Sequence, residues 1–240
     1  MKYDVIVIGA GPGGIFSAYE LVHKNSDLKI AVFEAGHALD KRHCPIDGDK
    51  VKNCIGCKSC SIMSGFGGAG AFSDGKYNIT NDFGGTLYEY IGKKQSLELM
   101  KYVDEINMRY GGEGTKLYST AGTRFKTVCI QNDLHLLDAS VRHLGTDINY
   151  VVLGNLYAYL KDKVEFFFDT PVNSVVAEAA GGYTVVCRMH PIHVRIASYR
   201  LDEAEANGWR RFAMIWRFQR NQIVWILVCA WSFQQLYLRI

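Results

Sequence analysis

No apolar run in this chain approaches twenty residues. The run nearest the C-terminus, Ile223 to Trp231 (IVWILVCAW), has nine, and a bilayer-spanning helix needs ~20. No ordinary membrane span is expected; Arg217 and Arg220 just before that run leave an interfacial amphipathic segment as the remaining membrane reading. Residues 1–188 hold no low-complexity run and no internal repeat. No leader is expected ahead of the first strand-like run at residue 3. Neither sign of charge dominates: 27 Lys and Arg stand against 24 Asp and Glu, a net of +3. That balance, with no nucleic-acid motif in sight, argues against nucleic acid as a partner.

The run Tyr3 to Glu34 is the most informative stretch present. It opens with an apolar strand, Val5-Ile6-Val7-Ile8, and turns through Gly9, Gly11 and Gly14 in G-x-G-x-x-G spacing. A helix pattern follows, with Ile15, Ala18, Tyr19, Leu21 and Val22 on one face. A second strand, Lys29 to Phe33, ends in Glu34, followed by Ala35-Gly36. This is a complete β-α-β unit of the dinucleotide-binding type. Gly9 permits the tight turn, Gly11 lets backbone approach a pyrophosphate, and Gly14 lets helix and strand pack closely. The turn Gly9, Gly11, Pro12, Gly13, Gly14 leads into a helix N-terminus that favours phosphate. Glu34 would accept ribose hydroxyls and repel a 2′-phosphate, so FAD or NAD is expected over NADP.

A second glycine-rich stretch, Ser64 to Ala71 (SGFGGAGA), cannot make a stable helix or strand. Its few side chains allow close approach to a ligand, and successive free amides could form an anion-binding concavity. Gly65, Gly67, Gly68, Ala69 and Gly70 are therefore expected as a second cofactor wall, with Ser73, Asp74 and Lys76 bringing polar groups nearby. The bland alternative is a flexible surface loop.

Three segments carry a family resemblance. VIVIGAGPGGIFSAYEL…VFEAG resembles the FAD-binding start of the glutathione-reductase-like flavoproteins with two dinucleotide-binding domains. CIGCKSCSIMSGFGGAGAFSDGKYNITN, residues 54–81, is similar to the bacterial FAD-dependent dehydrogenase family of that superfamily, and LGTDINYVVLGNLYAYLKDKVEFFFDTPV, residues 144–172, fits the same family. The resemblance covers residues 1–188. It implies an α/β, Rossmann-like FAD-binding domain with a parallel sheet and a β-meander, and the start of an inserted substrate-side segment at about 86–143. It implies FAD as cofactor, with NAD the second choice, and oxidoreductase chemistry on a small-molecule substrate. The superfamily's C-terminal part, with its closing FAD contacts, has no counterpart here. The chain thus reads as truncated, and a non-catalytic dinucleotide-binding fragment is the competing reading.

Seven cysteines, an odd number, fit a reducing cytoplasmic setting better than a disulfide framework. Cys54, Cys57 and Cys60 form C-x-x-C-x-x-C, a spacing that can ligate iron–sulfur or zinc, or carry a redox dithiol. Ser64 and Gly65 stand where the ferredoxin run wants Cys-Pro, while Cys44 could add a thiolate from upstream. Reduced structural thiols are the third reading; no metal is the expectation. No catalytic residue can be assigned: His135 and His143 qualify by type alone, and Asp147 could face a substrate.

Residues 96–109 predict an amphipathic helix through Leu97, Met100, Val103 and Ile106, stopped by Gly111-Gly112. Thr127 to Gln131 reads as a strand, and 145–161 as a helix capped by Thr146 or Asp147. Val172 to Val176, Gly181-Gly182 and Tyr183 to Cys187 read as strand, turn and strand. The composition changes at Arg188. Residues 189–240 hold seven Arg, three acids, no Lys, one glycine (Gly208) and all four tryptophans, 209, 216, 225 and 231. This tail reads as irregular and foreign, as a frameshift would produce; by spacing alone His190 and His193 could be metal ligands.

Overall fold

A computed structural model describes residues 3–177 and 183–187, and the short strand 227–228. The chain divides into two compact units. The first contains residues up to Gly70 and resumes at Ala158; the second contains Ala71–Tyr157.

The first unit is built on the β-α-β run. Strand β1 (Val5–Ile8) leads into helix α1 (Pro12–Lys24), then strand β2 (Ile30–Phe33). Proline at the first helical position fits there because that residue's amide has no intrahelical acceptor to lose. β1 and β2 pair in parallel, Val5 with Ile30 through Ile8 with Phe33. Strand β6 (Glu165–Phe167) adds to the far side of β2, also in parallel. Leu227–Val228, here β9, pairs in parallel with Val7 and Ile8, giving the order β6-β2-β1-β9. All four residues of β2 are buried, as expected for a central strand covered on both faces. Gly14 of α1 lies against Val7 on one face. On the other, Ile6, Ala31 and Phe33 cluster with Val185 and Cys187. These last two belong to the antiparallel hairpin of β7 (Val172–Ala177) and β8 (Tyr183–Cys187). Each fully buried side chain of this size contributes about 1.5–3 kcal/mol.

The hairpin is the part of the expected meander within the described residues; its turn, 178–182, lies outside them. The rest of the 189–240 tail, with His190 and His193, also lies outside the described residues.

The second unit contains the antiparallel sheet β3-β5-β4: β3 (Lys76–Ile79), β4 (Leu117–Ser119) and, in the centre, β5 (Ser140–His143). Its helices are α2 (Leu87–Ile91), α3 (Lys93–Asn107), α4 (Phe125–Gln131) and most of α5 (Gly145–Leu160). α3 passes into a π-helical turn, Met108–Gly112, and Gly111 leaves helical geometry at φ 126°. The expected strand at 127–131 is instead helix α4. The β-branched residues there have no strand beside them, and β propensity is expressed through pairing partners. α5 begins at Gly145, so Thr146 and Asp147 fall inside its first turn, where the charge of Asp147 suits the helix N-terminus. No helix among the described residues is long and apolar enough to cross a membrane.

Candidate functional site

The three glycines of the first motif are needed for three different reasons. Gly9 has φ 98°, a left-handed conformation, and its amide donates to the carbonyl of Phe33 at 2.7 Å. A Cβ on Gly14 would lie 1.9 Å from the carbonyl oxygen of Gly9, so helix–strand packing alone requires glycine there. Gly11 meets neither demand. Its φ of −71° and ψ of −179° suit any residue, and a Cβ would meet only the Cα of Gly68, at 4.0 Å. A side chain at Gly11 would therefore meet the chain's own atoms only in ordinary contact, at the mouth of α1. The first-turn amides of that helix have no intrahelical acceptors, and its first turn carries no acidic side chain. Gly13 is exposed there, and Pro12 offers no amide.

Glu34 is buried at the end of β2, 7% exposed. Its Oε2 accepts the amide of Ala10 at 2.7 Å. Its Oε1 accepts the amides of Gly36 at 2.7 Å and Gly65 at 3.0 Å. The acid thus holds the first glycine turn, its own strand end and the second glycine loop together. Ala35, between Glu34 and Gly36, is exposed.

The second loop is pinned from several sides. The amide of Phe66 donates to the carbonyl of His37, that of Gly67 to Ala10 and that of Gly68 to Gly65. With Gly65 bound to Glu34, all four amides from 65 to 68 are used within the protein, so this part of the loop is not the open amide concavity expected from its sequence. Gly65, Gly67 and Gly68 adopt φ of 114°, 87° and 59°, which favour glycine. What the loop presents instead is bare backbone. A Cβ on Gly68 would stand 3.2 Å from the Cα of Gly11, and one on Gly70 would stand 3.8 Å from Pro12 Cγ. Ala69 lies between them, half-buried, in the 3-10 turn Gly68–Phe72. The structure therefore brings Gly9–Gly14, Glu34 and Gly65–Gly70 to one place.

Two residues with no sequence signal build this wall. Phe66 is fully buried, with ring centroids of Phe166 and Phe168 at 5.8 and 6.4 Å. Arg42, 4% exposed, donates through Nε to Ser61 O, through Nη1 to Phe66 O and Gly68 O, and through Nη2 to Ile62 O, all at 2.7–2.8 Å. In sequence it stands among Asp40, Lys41 and His43, with no motif to mark it. Nearby, His37 Nδ1 pairs with Asp169 at 2.5 Å.

The other candidates are not drawn together. Among the described residues no three of His, Cys, Asp and Glu gather as metal ligands. Cys54 and Cys57 are exposed, and Cys44 and Cys60 are half-buried. In the second unit His135, His143 and Asp147 are exposed, and Asp74 pairs with Lys76 at 2.6 Å, which lowers the Asp74 carboxyl below its ordinary value. Two polar pairs in that unit are buried or half-buried. Arg142 pairs with both Asp104 oxygens at 2.6 and 2.8 Å. The Tyr77 hydroxyl donates to Asn149 at 2.8 Å, and burial, then the charge of Asp104, pushes its pKa up to about 12.

The sequence matches no protein-family model and no curated protein. Solved structures are similar in part. One is 3-ketosteroid-Δ4-(5α)-dehydrogenase from Rhodococcus jostii RHA1, 14% identical, covering 82% of this chain and 44% of that one, with a TM-score of 0.48. Another is the FAD-bound L-α-glycerophosphate oxidase of Mycoplasma pneumoniae, 14% identical, covering 82% and 52%, with a TM-score of 0.44. The chain spans about half the length of these structures.

Proposed function

We propose that the first unit binds FAD and that the chain belongs to a flavin-dependent oxidoreductase. The observation that carries this reading is that nothing inside the fold demands the glycine at position 11. Neither backbone conformation nor internal packing calls for glycine there, at the N-cap of α1, where a Cβ would only touch the Cα of Gly68 at 4.0 Å. A pyrophosphate is the group such a cradle suits, because the helix end supplies amide donors and the positive end of its dipole.

In this reading Gly9, Gly11, Pro12, Gly13 and Gly14 hold the pyrophosphate, with Gly65, Gly67, Gly68, Ala69 and Gly70 as the opposite wall. Glu34 keeps acceptor capacity at Oε2, which has one amide partner against two at Oε1, and takes the adenosine ribose. Its buried carboxylate opposes a 2′-phosphate, which favours FAD, or NAD second, over NADP. FAD, when bound, supplies hydride-transfer chemistry. The family resemblance supports FAD of the two, and assigns the 86–143 segment to the substrate side. The odd cysteine count supports a reducing, cytoplasmic compartment.

The visible spectrum of the purified chain tests this: bound flavin absorbs near ~450 nm, and bleaching by an electron donor shows competence for redox chemistry. A folded but colourless chain would support the second reading, a non-catalytic dinucleotide-binding fragment with an incomplete cofactor site.

A further inference from the structure

We propose that Arg42 is a positioning residue that forms the second wall of the dinucleotide site before any ligand arrives. The proposal rests on the FAD-site reading above. Its ground is the division of labour between two buried charges on one loop. Glu34 takes an amide of the loop, at Gly65. Arg42 takes four of its carbonyls, at residues 61, 62, 66 and 68. The guanidinium is planar, with donors fixed in a fork, so it acts as a template around which residues 61–68 curl. A Cβ on Gly65 would lie 2.8 Å from Arg42 Cδ, so that glycine is also what lets the loop close over the arginine stem.

Where the template ends decides what it controls. The last carbonyl held, that of Gly68, belongs to the residue that faces Gly11. Arg42 thereby fixes the distance between the two glycine segments on the pyrophosphate side. The ribose side is held otherwise, since Glu34 keeps the amides of Ala10 and Gly36 whatever the loop does. A preformed wall saves the ordering cost that a loose loop would impose on binding.

The test combines amide hydrogen exchange with ligand titration on the full chain. In the ligand-free wild type, the amides of Phe66 and Gly67 should already be protected, and FAD should add little. Wild-type loop amides that exchange freely until FAD is added would overturn the proposal. Arg42→Met should lose that protection while Val7 and Val32 of the sheet keep theirs. Its affinity for FAD and for ADP should fall about tenfold or more, and the weak binding of adenosine, which has no pyrophosphate, should stay as it was. Arg42→Lys should fail in the same way, because one ammonium cannot span four carbonyls. An equal loss for adenosine and ADP, or full affinity in either variant, would contradict the assignment. Should Arg42→Met not fold, Arg42→Lys, which keeps the cation, carries the test. If the wild type binds no dinucleotide, the FAD reading fails by itself, and loop protection in wild type and variants still judges the role of Arg42.

Discussion

Glu34 accepts the amide of Gly65 at 3.0 Å, across 31 residues of chain. The acid that closes the first glycine motif is thus the anchor of the second. Replacing it should do two things. Glu34→Ala leaves three inward amides, at residues 10, 36 and 65, without their acceptor, and a buried donor left unpaired costs about 1–3 kcal/mol. The melting temperature should fall clearly, and dinucleotide affinity should fall about tenfold to a hundredfold. Calorimetry of the variant, with and without FAD, checks both; an unchanged melting temperature would mean those bonds are not made.

The glycines should separate by role. Gly11→Val should keep the fold, because its φ is ordinary and its Cβ has room, yet it should lose dinucleotide binding. Gly14→Val should damage the fold itself, with a Cβ 1.9 Å from the Gly9 oxygen. Thermal melts and FAD titrations of the pair distinguish the two outcomes. A Gly11→Val protein that binds normally would remove the reason for that glycine.

Phe66→Ala should destabilise the first unit by about 3–5 kcal/mol, the range for deleting a fully buried phenylalanine. Denaturant unfolding reads this directly, and a loss under about 1 kcal/mol would show that the loop is not anchored in the core.

The second unit should respond to alkali through Tyr77. Its folded pKa, about 12, lies above the ordinary value of 10.0, so the folded state holds the proton more tightly than the unfolded one. The stability this contributes is full below pH 10 and is lost as pH rises toward 12. Tyr77→Phe should flatten part of that decline, at the cost of the hydrogen bond to Asn149. Unfolding curves at pH 9, 10 and 11 make the comparison; identical slopes would place Tyr77 outside the effect.

The β-α-β unit was legible because each of its signals is local. Strand, turn, helix and terminal acid follow one another within residues 3–34, and the physical demands on Gly9 and Gly14 arise from their near neighbours. The nearness of Gly65–Gly70 to the first motif was expected on composition and resemblance, but the amide concavity was not found at 65–68. Those amides are taken by Glu34, His37, Ala10 and Gly65, and such long-range partners leave no trace in spacing. Arg42 was illegible for the same reason: its acceptors are backbone carbonyls about twenty residues away, and any sequence offers carbonyls. The segment 127–131 misled because its β-branched residues prefer strands only where a strand is there to pair with.

The most direct measurement is an isothermal titration of the purified chain with FAD, NAD and NADP, run beside Gly11→Val. The account predicts saturable FAD binding, weaker or absent NADP binding, and no FAD binding in the folded Gly11→Val protein. A wild-type chain that is folded and binds neither FAD nor NAD, or a Gly11→Val chain that binds FAD as well as wild type, would contradict it.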